Sequence, residues 1–498
     1  MLALALPALL AACDATAVRR TASASTPPKD TAGNDTGSVP DTVAVSHTRE
    51  MRGLYVATVY NIDWPSRNTL SADEQQAEIV TLLDLAHTAG MNAVFVQVRP
   101  EGDALYRSDL EPWSDCLTGT QGQDPGYDPL AVWVQEAHTR GIEVHAWLNP
   151  YRAKAGSEST SGLTGGHMAL AFPEYAYGYG GDVWMDPGAA VVRARVVDVV
   201  ADLLTRYDVD GINFDDYFYP YPEGGDFPDS ATYAAYVGSG GTLALADWRR
   251  QNTSDLVRDV SAVIAATNPA VRFGVAPFGI WRPGYPEGIS GMDPYESLYA
   301  DPLHWAQQGW LDYLAPQLYW ETTNSGQEYG LLAPWWDAQL PDTTWNFPAN
   351  ALYQLGSSST WTFEEFAAQI AISRDPTLTR TRGNVWYNAS PFIEGWSGVL
   401  ETFAGTYYPS PALPPPVHAL AGQEEAPLTL SQEGTTLRWA AAEGRRAVTV
   451  YAASGEGWVL SQIVPASTGG VTLTPGRWAL ASVGTGDVES GGVEAEVR

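Results

Sequence analysis

The 498-residue sequence has little cysteine, little histidine and very little lysine. It contains two cysteines and seven histidines, and its only lysines are Lys29 and Lys154. Two cysteines cannot form a disulfide framework, and the histidines lack the spacing of metal ligands, so we expect no metal and no cofactor. A formal net charge of −31 argues against nucleic-acid binding, because phosphate contacts need a positive surface.

Long apolar runs are also missing, except for the first twelve residues. Met1–Ala12 is too short to span a bilayer as a helix and is typical of the apolar part of an export signal. Leu10-Ala11-Ala12-Cys13 resembles the end of a bacterial lipoprotein signal, in which Cys13 carries the lipid. The alternative is a buried segment with an ordinary cysteine.

Residues 14–48 consist mainly of Thr, Ser, Ala, Pro and Asp and cannot form a core, which predicts a disordered tether. Together with a lipidated signal at residues 1–13, this tether predicts an exported lipoprotein of the bacterial cell envelope, in the periplasm or on the outer membrane. Its contact with the membrane would be through the lipid anchor alone. We expect a monomer.

Eight apolar runs between residues 52 and 392 predict β-strands, and helical patterns separate most of them. Strands that alternate with helices pair in parallel, so eight such units predict a closed (β/α)8 TIM barrel of the α/β class over residues 49–410. The predicted strands are Gly53–Val59, Asn92–Arg99, Glu143–Asn149, Gly211–Tyr217, Arg272–Phe278, Tyr313–Trp320, Asn350–Leu355 and Asn384–Ser390.

A proline-rich stretch follows the predicted barrel and is typical of a stiff linker. Residues 417–498 contain short alternating apolar runs separated by Gly-rich turns, which predicts a small all-β sandwich. This second domain either binds glycan or braces the barrel. We favour bracing, since no aromatic pattern distinguishes a binding face from the core.

One face of four predicted strands turns polar towards the C-terminal end. Strands covered on both sides should be apolar throughout, and barrel enzymes place their active sites at the C-terminal ends of the strands. Independent hydrogen bonding at strand ends explains one or two such cases but explains four poorly. The polar residues therefore predict a single pit, and they include Gln97, Arg99, His145, Asn149, Asn213, Asp215, Gln317 and Tyr319.

The sharpest motif is the adjacent pair Asp215 and Asp216 at the end of the fourth strand. Like charges side by side raise a carboxyl pKa, and a raised pKa suits a general acid for glycosidic cleavage. The alternatives are a metal site, or one Asp that caps a helix and one that faces the core. We interpret the pair as catalytic.

Aromatic and polar residues gather at the other predicted strand ends, where tryptophans stack on sugar rings and polar groups bond hydroxyls. Any one tryptophan is equally well a core residue, but their clustering at one rim favours a sugar cleft. Three arginines at this rim indicate an anionic group on the substrate. The predicted substrate-binding residues are Asp63, Trp64, Arg99, Asp103, His145, Asn149, Arg152, Trp281, Arg282, Gln317, Tyr319, Trp320 and Asn388.

Several long motifs resemble the glycosyl hydrolase-like family 10 and occur in the family's order. They are Met51–Val56, Val96–Pro100, Gly102–Tyr106, His145–Arg152, Phe214–Pro220 and Ala315–Trp320. The resemblance covers about residues 49–410 and implies a barrel glycosidase. Lipoprotein members of this family include hydrolases of peptidoglycan glycan stripped of its peptides. The resemblance therefore implies a GlcNAc–MurNAc polymer, whose lactyl carboxylate would suit the rim arginines.

The Asp pair also resembles the pair of O-GlcNAcase-type barrels. That analogy implies that Asp215 orients the acetamido group of the substrate and that Asp216 protonates the leaving oxygen. In the competing arrangement Asp215 is a nucleophile or base, with Asp103, Glu101 or Glu321 as its partner.

Two other classes of function stay open. A non-catalytic glycan-binding envelope lipoprotein would share the rim aromatics and the tether but would not need two adjacent carboxylates. A barrel hydrolase of another polysaccharide, for example an α-glucan, or an enzyme that removes acetyl groups, is the third class, although deacetylation usually calls for a metal.

Overall fold

The structure is a computed structural model that describes residues 41–498, except Gly224 and Ala421. The predicted signal segment, Cys13 and most of the predicted tether lie outside the described residues. Within the described residues, no helix is both long and apolar enough to cross a membrane.

The first part of the described chain is a closed ring of eight parallel strands. The seventh strand has two segments, of which the first pairs with strand 6 and the second with strand 8, and strand 8 pairs with strand 1. The predicted (β/α)8 barrel is confirmed. Barrel strands 1 to 8 are Met51–Val56, Ala93–Arg99, Glu143–Leu148, Gly211–Phe214, Arg272–Val275, Tyr313–Leu314, Trp345–Asn346 with Ala349–Ala351, and Gly383–Tyr387.

Strands 6 and 7 differ from the predicted ranges because of prolines. Strand 6 ends at Leu314 instead of continuing to residue 320, and Pro316 follows, which has no N–H to donate to a ladder. Strand 7 begins at Trp345, five residues before the predicted start at Asn350, and Pro348 divides its two segments.

Helices surround the barrel, and side chains cap several of them. Ser71 and Glu74 form a capping box, and the side chain of Thr362 caps the helix that begins at Phe363. The α-helices are Ala72–Thr88, Asp115–Thr118, Pro129–His138, Met168–Ala171, Ala190–Arg206, Ser230–Gly238, Leu245–Thr267, Pro294–Ser297, Pro302–Gln307, Tyr329–Gln339, Phe363–Ser373, Ser390–Ile393 and Val399–Thr402.

Shorter elements connect these strands and helices. The segment after strand 3 forms an antiparallel sheet of Arg152–Lys154, Ala176–Tyr179 and Asp182–Met185. A π-helix covers Phe403–Tyr407, and 3₁₀ turns cover Val59–Asn61, Pro173–Tyr175, Leu352–Gln354, His418–Leu420, Ala466–Thr468 and Thr485–Asp487.

The alternation of side chains along the strands divides the barrel into two cores. Tyr55, Phe95 and Trp147 belong to a cluster inside the barrel, which also contains Tyr313 and Phe347. The alternate residues, such as Leu54, Val94 and Val144, pack outward in the larger cluster that contains the helices. The predicted polar residues Gln97 and Asn149 each lie two residues after a member of the inner cluster, Phe95 and Trp147, and so belong to the same inner face. The inner face is therefore apolar inside the barrel and polar at its mouth.

The C-terminal region is all-β, as predicted, with two antiparallel sheets. Its own core includes Leu428, Leu437, Val448 and Leu480. One sheet contains Thr42–Val43, Gly492–Val497, Gly476–Gly484, Arg445–Ser454 and Gly457–Pro465, and the other contains Leu430–Glu433, Thr436–Trp439 and Gly470–Thr472.

The N-terminal boundary of this sheet corrects the predicted tether. Thr42 and Val43 pair with Val493 and Gly492, so residues from 42 onward join the folded structure instead of remaining in a tether that ends at residue 48. The physical reason is that Val43 and Val45 pack against an apolar cluster of the C-terminal region.

Candidate active site

Asp215 and Asp216 directly follow barrel strand 4, at its C-terminal end. The strand begins with Gly211, where a Cβ would lie 2.4 Å from Nδ1 of His145, so the His145 ring occupies the space that a side chain at this position would need. Both carboxylates are 5% exposed. The sequence motif therefore places two adjacent acids in a nearly dry position at the mouth of the barrel.

Asp215 is held by a chain of amides from strands 2 and 3. Nδ2 of Asn149 donates to Oδ2 of Asp215 at 2.5 Å, and Oδ1 of Asn149 accepts from Nε2 of Gln97 at 2.6 Å. The other carboxylate oxygen, Oδ1, has no hydrogen-bond partner among the described residues. One edge of this carboxylate is therefore fixed, and the oxygen at the other edge is buried without a hydrogen-bond partner among the described residues.

Asp216 is held on both of its oxygens. The hydroxyl of Tyr221 donates to Oδ2, and Nε2 of Gln317 donates to Oδ1 at 3.0 Å. Gln317 is fixed in turn, because the same nitrogen donates to the carbonyl of Ala276 at 3.0 Å. Donors on both oxygens stabilise the ionised carboxylate.

The two acids differ in their electrostatic environments. Burial, followed by the negative charge of Asp216, raises the pKa of Asp215 to about 7, although the charge of Arg152 opposes this shift. Burial also raises the pKa of Asp216, against the hydrogen bonds from Tyr221 and Gln317. Both shifts favour the protonated form of a carboxyl group, and a protonated carboxyl is what a general acid needs.

Arg152 is the cation beside this pair. Its guanidinium lies over the ring of Tyr217 at 5.3 Å, and it donates to Oδ1 of Asn149 at 3.3 Å and to the carbonyl of Pro100 at 3.1 Å. In the part of the chain that the structure describes, Arg152 makes no ion pair. Its charge is thus available to an anionic group.

Aromatic rings line the mouth on the side of strands 6 and 8. Tyr319 stacks on Tyr387, with 5.7 Å between ring centroids and an interplanar angle of 25°. Tyr353 meets both rings edge-on. The next residue after Tyr387 is Asn388, whose buried Oδ1 has no partner among the described residues. This wall offers ring faces and a free acceptor, which are the groups that bind sugars.

The comparisons with known proteins agree with this chemistry. The family model for glycosyl hydrolase-like 10 matches residues 50–359. The chain is 38% identical to glycosyl hydrolase YngK of Bacillus subtilis (strain 168) over 388 residues, which is 76% of either chain. It is also 38% identical to glycosyl hydrolase DigH of Escherichia coli (strain K12) over 355 residues, or 67% of this chain and 80% of DigH. The chain belongs to the glycosyl hydrolase-like 10 family.

Membership in this family makes the chain a glycosidase, as predicted. Among solved structures, the glycoside hydrolase domain of PgaB (BpsB) from Bordetella bronchiseptica is similar at a TM-score of 0.49 and 13% identity, over 72% of this chain and 98% of that one. An endo-1,4-beta-mannanase from Rhizomucor miehei has a TM-score of 0.45 at 12% identity, over 73% and 99% of the two chains.

In this family member, two of the three predicted rim arginines are already neutralised. Arg99 is fully buried and bonds Glu111 through both Nε (2.7 Å) and Nη2 (2.5 Å). Arg282 lies 3.3 Å from Asp293 and 3.5 Å from Glu296. We therefore no longer expect Arg99 to contact substrate, and of the three only Arg152 keeps an unpaired charge in the described structure.

Two predicted residues at the end of strand 1 support the protein instead of facing a ligand. Trp64 is 1% exposed and packs edge-on against Trp133 at 5.5 Å, in the layer of helices. Asp63 accepts from the backbone N–H of Ala57 at 2.8 Å and from the hydroxyl of Ser390 at 2.7 Å. A substrate contact does not fit either residue, because their apolar surface and polar atoms are already used.

Asp103 and His145 are also buried away from solvent. Burial, with the charge of Glu101, raises the pKa of Asp103 to about 8, and its side chain is 1% exposed. His145 is fully buried, and burial lowers its pKa to about 3. Its ring lies beside Glu143, at the start of strand 3, which is the end of the barrel opposite the mouth. Neither residue fits the predicted substrate contact.

Trp281 and Trp320 lie half-buried on the loops that follow strands 5 and 6. Trp281 stacks on Trp335, with ring centroids 6.0 Å apart, and Trp320 meets Phe278 edge-on at 5.8 Å.

Of the alternative acids, Glu321 bonds Thr360 and its pKa is lowered, because hydrogen bonds outweigh its slight burial. An ionised surface carboxylate of this kind is a poor general acid.

Several residues of the candidate site were missing from the predicted set. Tyr221 bonds Asp216, Tyr387 stacks on Tyr319, and the Nε1 of Trp147 is buried without a partner in the described structure. Tyr387 was detectable because it precedes the predicted Asn388, and Trp147 because it shares a strand face with the predicted Asn149. Tyr221 lies in a loop, where the sequence gives no periodicity that locates a side chain.

Proposed function

We propose that the chain hydrolyses β-1,4 glycosidic bonds in peptide-free peptidoglycan glycan, a polymer of GlcNAc and MurNAc. The observation that carries this proposal is a pair of adjacent buried carboxylates, Asp215 and Asp216, beside Arg152, for which the described structure shows no ion pair. The carboxylates supply acid–base catalysis, and the arginine matches a substrate that carries a carboxylate on alternate sugars.

The hydrogen bonds favour a division of roles opposite to that implied by the O-GlcNAcase analogy. Asp215 has one free oxygen and a pKa of about 7, so its protonated form is available to protonate the leaving oxygen. Asp216 accepts hydrogen bonds on both oxygens, and these bonds favour its carboxylate form against the effect of burial. In this arrangement Asp215 is the general acid that protonates the leaving oxygen. Asp216 is the carboxylate that serves as nucleophile, or as base for the attacking water, at the sugar carbon whose bond is cleaved.

Leaving-group dependence tests this assignment. Asp215→Asn should lower the hydrolysis of peptide-free glycan by a factor on the order of 10³, yet largely spare a p-nitrophenyl glycoside, whose leaving group needs no protonation. Asp216→Asn should abolish the hydrolysis of both substrates. The reverse pattern would restore the analogy and make Asp216 the acid.

The test needs a control for structural damage and one for substrate class. Asn substitutions preserve the shape of Asp, and matched circular dichroism spectra confirm the fold. Wild-type protein is assayed on peptide-free murein, intact murein and soluble α-glucans, with products identified by mass. Binding of glycan without any product would instead support a glycan-binding envelope protein.

We also propose that the protein acts at the cell envelope. The support is the lipoprotein-like signal that ends at Cys13, together with the acidic, lysine-poor composition. Labelling with a fatty-acid analogue in a bacterial host, lost in a Cys13→Ala variant, is the expected result. Labelling that persists in Cys13→Ala would remove the anchor from the proposal.

A further inference from the structure

The loop after barrel strand 1 has one exposed aromatic side chain at its tip. Tyr60 is 64% exposed, the highest fraction among the exposed large hydrophobic residues of the described chain. Its backbone is left-handed, with φ 56° and ψ 17°, and Asn61 follows with φ 55°. Residues other than glycine rarely adopt this backbone conformation. Where it occurs, the surrounding structure usually enforces it, often at a ligand site.

The surrounding structure does enforce it. The backbone N–H groups of Thr58 and Val59 both donate to Oε1 of Gln97, at 2.9 and 3.0 Å. Nδ2 of Asn61 donates to the carbonyls of Pro65 and Cys116, at 2.8 and 2.9 Å. The loop is thus fixed on both sides of Tyr60, and the ring of Tyr60 is left exposed.

The same contacts connect the loop to the catalytic pair. Gln97 accepts from the loop and donates to Asn149, which donates to Asp215. Asp63, whose predicted substrate contact was not supported, closes the base of the loop on Ala57. A single run of hydrogen bonds therefore fixes the position of Tyr60 relative to the reacting carboxylate.

The ring of Tyr60 extends across to the segment that follows strand 3. A Cβ at Gly156 would lie 3.1 Å from the Tyr60 hydroxyl oxygen, and the backbone N–H of Gly156 is held by Asp182 at 2.8 Å. Burial and the charges of Asp182 and Glu101 raise the pKa of Tyr60, and the charge of Arg152, which also acts on Asp215, opposes them. Tyr60 and Asp215 therefore share Arg152 as a charged neighbour.

We propose that Tyr60 forms an outer sugar subsite, on which a pyranose of the bound glycan stacks at least one position away from the bond that is cleaved. The inference rests on the proposed glycosidase function and adds a binding position to it. An apolar ring face, held rigidly and left exposed on a loop that is hydrogen-bonded to the residues holding Asp215, matches the apolar face of a pyranose. Rigid presentation lowers the entropic cost of binding, which explains why a strained backbone is retained there.

Chain-length dependence tests this subsite with the full-length protein. The variant Tyr60→Gly removes the ring and suits the left-handed backbone, so the loop geometry is kept. For peptide-free glycan of eight sugars, KM should rise about fivefold, as expected for the loss of one stacking contact, with kcat unchanged. For the shortest glycan that the wild type cleaves, KM should not change.

Three further variants separate stacking from structural effects. Tyr60→Phe keeps the ring and should behave as wild type, and Tyr60→Asn repeats the ring removal with another residue that tolerates the left-handed region. Ile62→Ala alters an exposed apolar side chain of the same loop, which is 45% exposed, and should leave KM unchanged at every length.

The outcomes separate the two proposals. If the wild-type protein cleaves no peptide-free glycan, the proposed substrate is wrong, and this result alone does not bear on Tyr60. Cleavage with the same KM in wild type and Tyr60→Gly at all lengths overturns the subsite alone. An equal rise in KM on short and long chains also overturns it, because the ring would then belong to the central site.

Discussion

Barrel strand 4 carries a buried aspartate at each end, and the two behave in opposite ways. Asp210 precedes the strand, where burial is outweighed by the charge of Arg446 and by His138, so its pKa is lowered. Asp215 follows the strand, where burial and the charge of Asp216 raise its pKa to about 7. Burial is similar at the two ends, so the neighbouring charges decide which aspartate has a lowered pKa and which has a raised one.

The two ends therefore contribute to stability with opposite signs. Because the pKa of Asp210 is lowered, its ion pair stabilises the fold above the unfolded pKa and is lost as pH falls through the lower folded value. Between pH 3.8 and about 7, Asp215 is protonated to a greater extent in the folded protein than in the unfolded chain. The free energy of unfolding therefore falls as pH rises through that window. The base of the barrel provides stability, while the mouth costs stability.

The largest expected effect comes from removing the cation at the base. Arg446, from the C-terminal region, lies 2.8 Å from Oδ1 of Asp210, and Arg446→Met would leave that carboxylate buried and without its cation. We expect a loss of about 3 kcal/mol in the free energy of unfolding, measured by urea denaturation at pH 7. Arg438→Met, at an exposed pair with Glu433, should cost under about 1 kcal/mol. Equal losses in both variants would mean that the base is not specially stabilised.

The second effect is on the rate. If Asp215 must be protonated, kcat/KM on glycan should fall about tenfold per pH unit above pH 7, reaching about a hundredfold at pH 9. The fall follows from the loss of the protonated acid as pH exceeds its pKa. A p-nitrophenyl glycoside should show no such decline, because its leaving group needs no proton. An alkaline decline of the same size on both substrates would point to another group.

The third effect concerns stability at the mouth. Asp215→Asn removes a carboxylate that is costly to ionise, so at pH 8 the variant should be more stable than the wild type by on the order of 2 kcal/mol. At pH 3.5, where Asp215 is protonated in the folded protein, the difference should be small. Urea midpoints at the two pH values measure it. A variant that is less stable at pH 8 would show that this carboxylate does not carry the cost we assign to it.

The barrel was predictable because its signals are repeated along the chain. Eight apolar runs, alternating side-chain parity and polar strand ends each recur, so errors in one strand do not change the conclusion. The Asp215–Asp216 pair was predictable because its position after strand 4 fixes where its side chains begin. The limits of strands 6 and 7 were wrong by a few residues, since Pro316 and Pro348 interrupt ladders that the apolar pattern continues.

The roles of individual rim residues depend on partners that are distant in sequence. Arg99 is neutralised by Glu111 from the following loop, and Trp64 packs against Trp133 from a helix that begins 65 residues further on, at Pro129. No local pattern distinguishes such an arginine from Arg152, which has no carboxylate partner in the described structure. Sequence patterns thus indicated a candidate site, and three-dimensional pairing determined which of its residues lack a partner in the described structure.

The smallest expected effect returns to that unpaired arginine. If Arg152 binds a lactyl carboxylate, Arg152→Met should raise KM for peptide-free glycan about tenfold, as for a lost contact of about 1.4 kcal/mol. On glycan whose carboxylates have been reduced to alcohols, wild type and variant should have similar KM values. Arg282→Met, which removes a cation already paired with Asp293, should change neither. A tenfold rise on both glycans would mean that Arg152 acts through Asn149 and Tyr217, and that the mouth, like the base, uses its cation for the protein itself.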